Sequence, residues 1–389
     1  MISDQKKTGI NGGWFYVLAI LLYGLFYWIN SPLDYQACEL CDGHQYAKLY
    51  VFFETGIVSP IHFPFYNRLL VPWLASLLPG TQMHVHFDVV NFVFFVLSLW
   101  SIRKLWLALA LRGWMQVLGF SWLLLHWVGI IRYNLHDNLT VDVPLYFFQS
   151  LALWFFIQKK YNWFFLLVPV ALLQKESFLA VMLVFIVLHF VFEYKNQPWQ
   201  QGQYLVAATL VGVVIQKFIL LQQPDQIDQR SSFDAILYHG YWALKDPTRF
   251  VRWLAAVGSA YGVLPFVGLF RYRWCRLLDQ RYATLVVLSL MYGAFGLVAG
   301  EDMTRILFLG LPFILTFSLL ALQEVHTKTQ VIAMILSVAA LRLFPIPIDV
   351  AWAVDYASMS YVWQWFAYYG IAVGLLFVIY KNQTQLKRH

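Results

Sequence analysis

Apolar runs of roughly 16–20 residues recur along this chain, each closed by a short polar break, and that length carries a helix across a hydrocarbon core of about 30 Å. The pattern predicts about twelve crossings, near 14–30, 84–101, 114–131, 140–157, 162–174, 177–192, 204–221, 250–270, 282–299, 306–322, 329–345 and 362–380. One stretch resists this reading. Residues 60–80 carry Pro60, Pro64, Pro72 and Pro79, and a proline inside a helix removes a backbone donor and clashes with the preceding turn. The expectation is therefore an all-α, polytopic membrane protein, a single transmembrane helical domain over 1–389. Its first outer loop, 31–83, is expected to hold short interfacial helices.

Composition agrees with the pattern. The chain is 60% hydrophobic and 12% charged, about half the charge of an ordinary soluble domain. Seventeen Trp and 23 Tyr suit aromatic belts at the membrane–water interface. A net charge of +7 in such a chain bears on topology rather than on nucleic acid, for which the sequence predicts no affinity. With the N-terminus in the cytoplasm, more than half of the 27 Lys and Arg fall on inward segments and most of the 20 carboxylates fall outside. This bias predicts a multi-pass protein of the plasma (inner) membrane with both termini cytoplasmic. No small-residue cleavage site follows the first apolar run, which predicts a retained anchor. The chain has no P-loop and no Gly-x-Ser-x-Gly elbow, and the cytoplasmic connections are short, so any chemistry is expected on the outer side.

Charge is scarce here, so its position is informative. The first polar loop carries Asp34, Glu39 and Asp42; Gly43 permits a tight turn, and Tyr46 shares a face with Asp42 if a helix starts there. A carboxylate at such a place can take a proton from a hydroxyl or hold a divalent cation, whereas the plainer reading is a solvated acidic loop. The segment Arg132–Asn138 presents His136 and Asp137, with Asp142 five residues on inside an apolar run, where an ionisable group is costly. The plainer reading there is a helix cap with a polar turn. Lys175 and Glu176 form a charged turn, read either as a mutual ion pair or as a phosphate ligand beside an acid. Glu301, Asp302 and Arg305 lie at the start of another run, where a weak intrahelical pair competes with capture of a lipid phosphate. Arg68 is a further interfacial cation. Cys38 and Cys41 have redox or zinc spacing, but with one such pair a disulfide or two free thiols is favoured over zinc.

Asp42-Gly-His-Gln-Tyr46, followed by Tyr66-Asn-Arg-Leu-Leu-Val-Pro-Trp-Leu-Ala75, resembles an opening pattern of bacterial membrane glycosyltransferases of the GT-C superfamily. Lys175-Glu176 and Asp302-x-x-Arg305 are similar to charged outer-face positions of that group. The resemblance implies an inverting glycosyltransferase that takes a sugar from a polyprenyl-phosphate donor and passes it to a glycan, lipid or protein acceptor on the non-cytoplasmic face. It implies Asp42 as base or metal-coordinating residue; the expectation built on it makes Asp42 the general base, with Asp137 and Glu176 positioning the acceptor or holding a divalent cation, Mg or Mn, as the one candidate cofactor. Lys175, Arg305 and Arg68 would meet the donor phosphate, and His136, Glu301, Asp302 and Tyr46 would complete the substrate-binding set. The chain departs from the pattern in having Gly43 beside Asp42, where many members carry a second acid. Two other functions suit the same composition: a transporter or flippase of a lipid-linked or anionic solute, and a non-catalytic membrane assembly subunit. The transporter needs polar groups along a path through the membrane, and Asp88, Asp142, Lys217, Arg252 and Arg342 are the charges placed within predicted spans.

Overall fold

A computed structural model describes residues 12–36, 41–193, 199–221, 232–271, 279–300, 302–343 and 359–385. Cys38, Glu39, Cys275 and Glu301 lie outside the described residues. Among those described, the chain is helical throughout and forms no strand. In order the helices are α1 (Gly12–Ile29), α2 (Gly43–Thr55), α3 (Leu70–Ser76), α4 (Met83–Ala108), α5 (Gly113–Leu125), α6 (Arg132–His136), α7 (Val143–Ile157), α8 (Phe164–Gln174) and α9 (Phe178–Glu193). They continue as α10 (Trp199–Leu220), α11 (Ser232–Lys245), α12 (Pro247–Tyr261), α13 (Leu264–Arg271), α14 (Gln280–Val298), α15 (Met303–Leu309), α16 (Leu311–Leu322), α17 (Thr327–Leu343) and α18 (Met359–Gln385).

Among the described residues four helices are long and apolar enough to cross a membrane: Met83–Ala108, Gln201–Leu220, Gln280–Val298 and Val362–Ile379. The pair α15 and α16 makes a fifth if it is taken as one span, though it bends by 71°. The chain is accordingly a membrane protein. Large apolar side chains that would be an aggregation hazard in water, such as Trp14, Leu21 and Trp28 on α1, stand exposed where hydrocarbon can cover them. The twelve expected crossings are not reproduced as twelve long helices, and the reasons are local. The run at 114–131 is helical only to Leu125 and then turns through Trp127–Gly129. The run at 250–270 breaks at Gly262, whose φ of +60° ends α12 and whose hydrogen sits against Ser337, where a Cβ would collide. The run at 306–322 breaks at Gly310, and Pro312 restarts it as α16. Other expected crossings are apolar helices of 10–17 residues.

The chain divides into two compact units. The first comprises Met1–Ala110 and Leu124–Asp234, the second Leu111–Leu123 and Ala235–His389. In the first, α4 lies along α7, joined by Ser101 Oγ to Ser150 Oγ at 2.5 Å, and α8 lies along α10. In the second, α16 packs on α13 and α14, and α12 packs on α15 and α18. Trp122 Nε1 donates to Ala260 O at 2.9 Å, fixing α5 to α12 within this unit.

The expected first loop, 31–83, is ordered by helices α2 and α3 and by a helical turn at Phe65–Asn67, as its prolines dictate. Two backbone bonds anchor it inside the first unit: Leu33 N donates to His136 O at 2.7 Å and Leu69 N to Leu173 O at 2.8 Å. Because a backbone bond fixes two chains to within a few ångströms, these anchors decide which distant charges meet.

Candidate functional site

Gly43 begins α2, so Asp42 stands immediately before a helix and is half-buried. Its backbone carbonyl accepts from Gln45 N at 3.0 Å and Tyr46 N at 3.4 Å, while its carboxylate makes no capping bond. Against the first turn lies Tyr35, whose ring occupies the space a Cβ at position 43 would need. His44 Nε2 lies 3.0 Å from Tyr35 O and therefore donates to it. The Tyr35 hydroxyl donates to Asp137 Oδ1 at 2.6 Å and accepts from Leu139 N at 3.1 Å. Tyr133 Oη donates to the other oxygen of Asp137 at 3.2 Å. One tyrosine thus couples the Asp42 turn to a buried carboxylate held by two phenols. Gly43→Ala is expected to drive Tyr35 off this seat and to cost about 1–3 kcal/mol, as overpacking does. A thermal unfolding midpoint equal to that of the unaltered protein would contradict this packing.

Arg68 is held by Tyr46 of α2 and by Glu176. Its Nη2 and Nε reach Glu176 Oε1 at 3.1 Å and Oε2 at 3.4 Å, a forked pair, and its Nη1 donates to Tyr46 Oη at 3.0 Å. Tyr46 is fully buried, edge-on to Phe65, and the Arg68 guanidinium lies 5.6 Å from the centre of that same ring. Burial pushes the Glu176 carboxyl up, but the Arg68 charge and hydrogen bonds, with Lys175 adding to them, bring it below its ordinary value. Burial pulls the Arg68 guanidinium down, and Glu176 and Tyr46 more than reverse this.

Lys175 and Glu176 do not pair with each other. Lys175 leaves α8 with extended backbone, φ −162° and ψ 130°, so consecutive side chains diverge. Glu176 goes to Arg68, and Lys175 Nζ reaches Asp142 Oδ1 at 2.8 Å, with both side chains under a tenth exposed. Asp142, expected inside an apolar run, sits just before α7, and Lys175 supplies its counter-charge. His136 is turned to the loop: its Nδ1 lies 2.9 Å from Ser31 O, which accepts from it.

The first unit therefore brings together Asp42, Tyr46, Arg68, His136, Asp137, Lys175 and Glu176. Asp302 and Arg305 belong to the second unit, where Arg305 is buried and its Nη1 lies 3.5 Å from Asp302 Oδ2, a loose pair within one helical turn. Among the described residues no group of three His, Cys, Asp or Glu is arranged to hold a metal ion. Cys41 is disulfide-bonded, which agrees with the preference for a disulfide over zinc. Tyr35 and Tyr133 were not foreseen from sequence, since a phenol among 23 tyrosines carries no charge to mark it. The one hint was Gly43, a residue small enough to admit a ring. Comparison with family models, curated proteins and solved structures finds no match to this chain.

Proposed function

We propose that this protein is an integral-membrane glycosyltransferase of the inverting GT-C type. It would move a sugar from a polyprenyl-phosphate donor to a glycan, lipid or protein acceptor on the non-cytoplasmic face of the plasma membrane. The observation that carries the reading is an amphiphilic juxtaposition in the first unit. An apolar pocket of about 280 Å³ is lined by Phe53, Leu69, Leu70, Trp73, Leu173 and Ile219. Leu69 is the chain neighbour of Arg68, and Leu173 lies two residues before Lys175. The segments that carry the Arg68 guanidinium and the Lys175 ammonium thus also line a greasy cleft, a pairing that suits a long hydrocarbon with an anionic head. The volume is near the small end for ligand sites, roughly 300 Å³, so it suits part of a chain rather than the whole.

Arg68 has five N–H donors, of which three are engaged by Glu176 and Tyr46, leaving two to meet a phosphate oxygen. Glu176 keeps that guanidinium in place, and Lys175, the preceding residue in the chain, is held by Asp142. Asp42, less buried than Asp137 and not engaged in capping its helix, is assigned the acceptor hydroxyl's proton. Asp137, committed to two tyrosines, orients the turn instead. The reading rests on the first unit alone. Its test is incubation of the purified protein in lipid nanodiscs with radiolabelled polyprenyl-phosphate sugars and a panel of glycan, lipid and protein acceptors. Label is expected to pass to one class of acceptor; a carrier that retains all its label across the panel rejects the reading.

A further inference from the structure

Behind Asp137 the same unit holds a second polar cluster for which sugar transfer has no use. Asp88 and Asn91 lie one turn apart on α4. Asn91 Nδ2 donates to Thr140 O at 3.0 Å and to Asn138 O at 3.4 Å, seating this face of α4 on the 138–140 segment. The Asn138 amide reaches the Asp88 carboxylate from one end and accepts from His84 Nδ1 at 3.2 Å at the other. Tyr23 of α1 packs 4.9 Å from the rings of Phe92 and Phe95, which brings its hydroxyl beside both Asp88 and Asn134. On these contacting segments five oxygens are buried without a well-formed hydrogen bond, Asp88 Oδ1, Asn91 Oδ1, Asn134 Oδ1, Thr140 Oγ1 and Tyr23 Oη, as is one donor, Asn134 Nδ2. Asn91, Asn134 and Thr140 are all at least 98% buried.

We infer that Asp88, Asn91, Asn134, Thr140 and Tyr23 form a binding site for a monovalent alkali cation, sodium in the first instance. Unmet buried acceptors are expensive, and the half-buried Asp88 carboxylate, one oxygen of which is fully buried, adds a charge that a cation would answer. Among the described residues no Lys or Arg forms an ion pair with Asp88, and His84 is turned to Asn138. Asp88 is the sixth residue of α4, past the first turn where the positive end of the helix dipole acts. Waters would satisfy the neutral oxygens yet leave the carboxylate charge unanswered. Oxygen donors alone select a hard cation, and a single carboxylate balances one positive charge. A divalent ion would leave a net charge in a low-dielectric site, and the cluster lacks the second and third acids such an ion usually takes.

Binding of radioactive sodium to the purified full-length protein, followed by scintillation proximity with choline chloride holding ionic strength constant, tests the site. Saturable binding displaced by unlabelled sodium and not by choline is expected. Asp88→Asn should weaken it by at least about tenfold, as loss of a charge-assisted contact does, and Thr140→Val by about threefold. Thr140→Val preserves shape and the backbone carbonyl that Asn91 uses, so it carries the test if Asp88→Asn fails to elute as a folded species. Absence of saturable binding in the unaltered protein overturns the inference, and a carboxyl that simply holds a proton gives that result. Equal affinity in the unaltered protein and both variants overturns it as well.

Discussion

Under the proposed glycosyltransferase reading, Asp42→Asn is expected to lower sugar transfer by about 10²–10⁴-fold, the usual contribution of a general base, while leaving the fold intact. The separation of the two effects follows from the geometry. The start of α2 is closed by the Asp42 carbonyl, which accepts from Gln45 N and Tyr46 N, and the carboxylate forms no cap. An amide of the same shape keeps that backbone and loses a favourable charge at the helix start, worth about 0.3–1 kcal/mol. Turnover should therefore fall while the unfolding temperature moves by a few degrees at most and donor affinity, set by Arg68 and the apolar pocket, holds. Transfer at the unaltered rate in a correctly inserted variant would remove Asp42 from the mechanism. A parallel collapse of stability would instead make it a structural residue.

Much of the helical order is legible in the sequence because a run of apolar residues has few ways to satisfy its backbone in lipid. Helix α4 was expected at 84–101 and runs from Met83 to Ala108. The breaks are less legible. Gly262 ends α12 with a positive φ, and Ser337, far along the chain, comes too close there for any side chain, an approach no local pattern announces. The site divides in the same way. Asp137, Lys175, Glu176 and Arg68 drew notice because a charge is conspicuous in a chain with 12% charged residues. Which of them pair was not legible, because pairing is a property of the fold: Arg68 and Glu176 are 108 positions apart. Adjacency made a mutual pair one of the two readings of Lys175–Glu176, and the structure instead sends them to different partners, with extended backbone at Lys175.

Lys175→Met is expected to destabilise the protein by about 3–5 kcal/mol, the loss seen when one member of a buried ion pair is removed and the other is left uncompensated. Asp142 is the member left behind. It is 4% exposed, and a methionine of similar length fills the space but cannot answer the charge. The tight contact, 2.8 Å between Nζ and Oδ1, makes this the costlier of the two pairs to break, since the Glu176 side chain is 20% exposed and solvent screens part of its loss. The double variant Lys175→Met with Asp142→Asn should recover most of the loss, because a buried pair removed together is often close to neutral. Reversible unfolding in mixed detergent micelles supplies the four free energies of the cycle. A coupling near zero would mean that Lys175 and Asp142 are solvated independently. The charged edge of the apolar pocket would then rest on Arg68 and Glu176 alone.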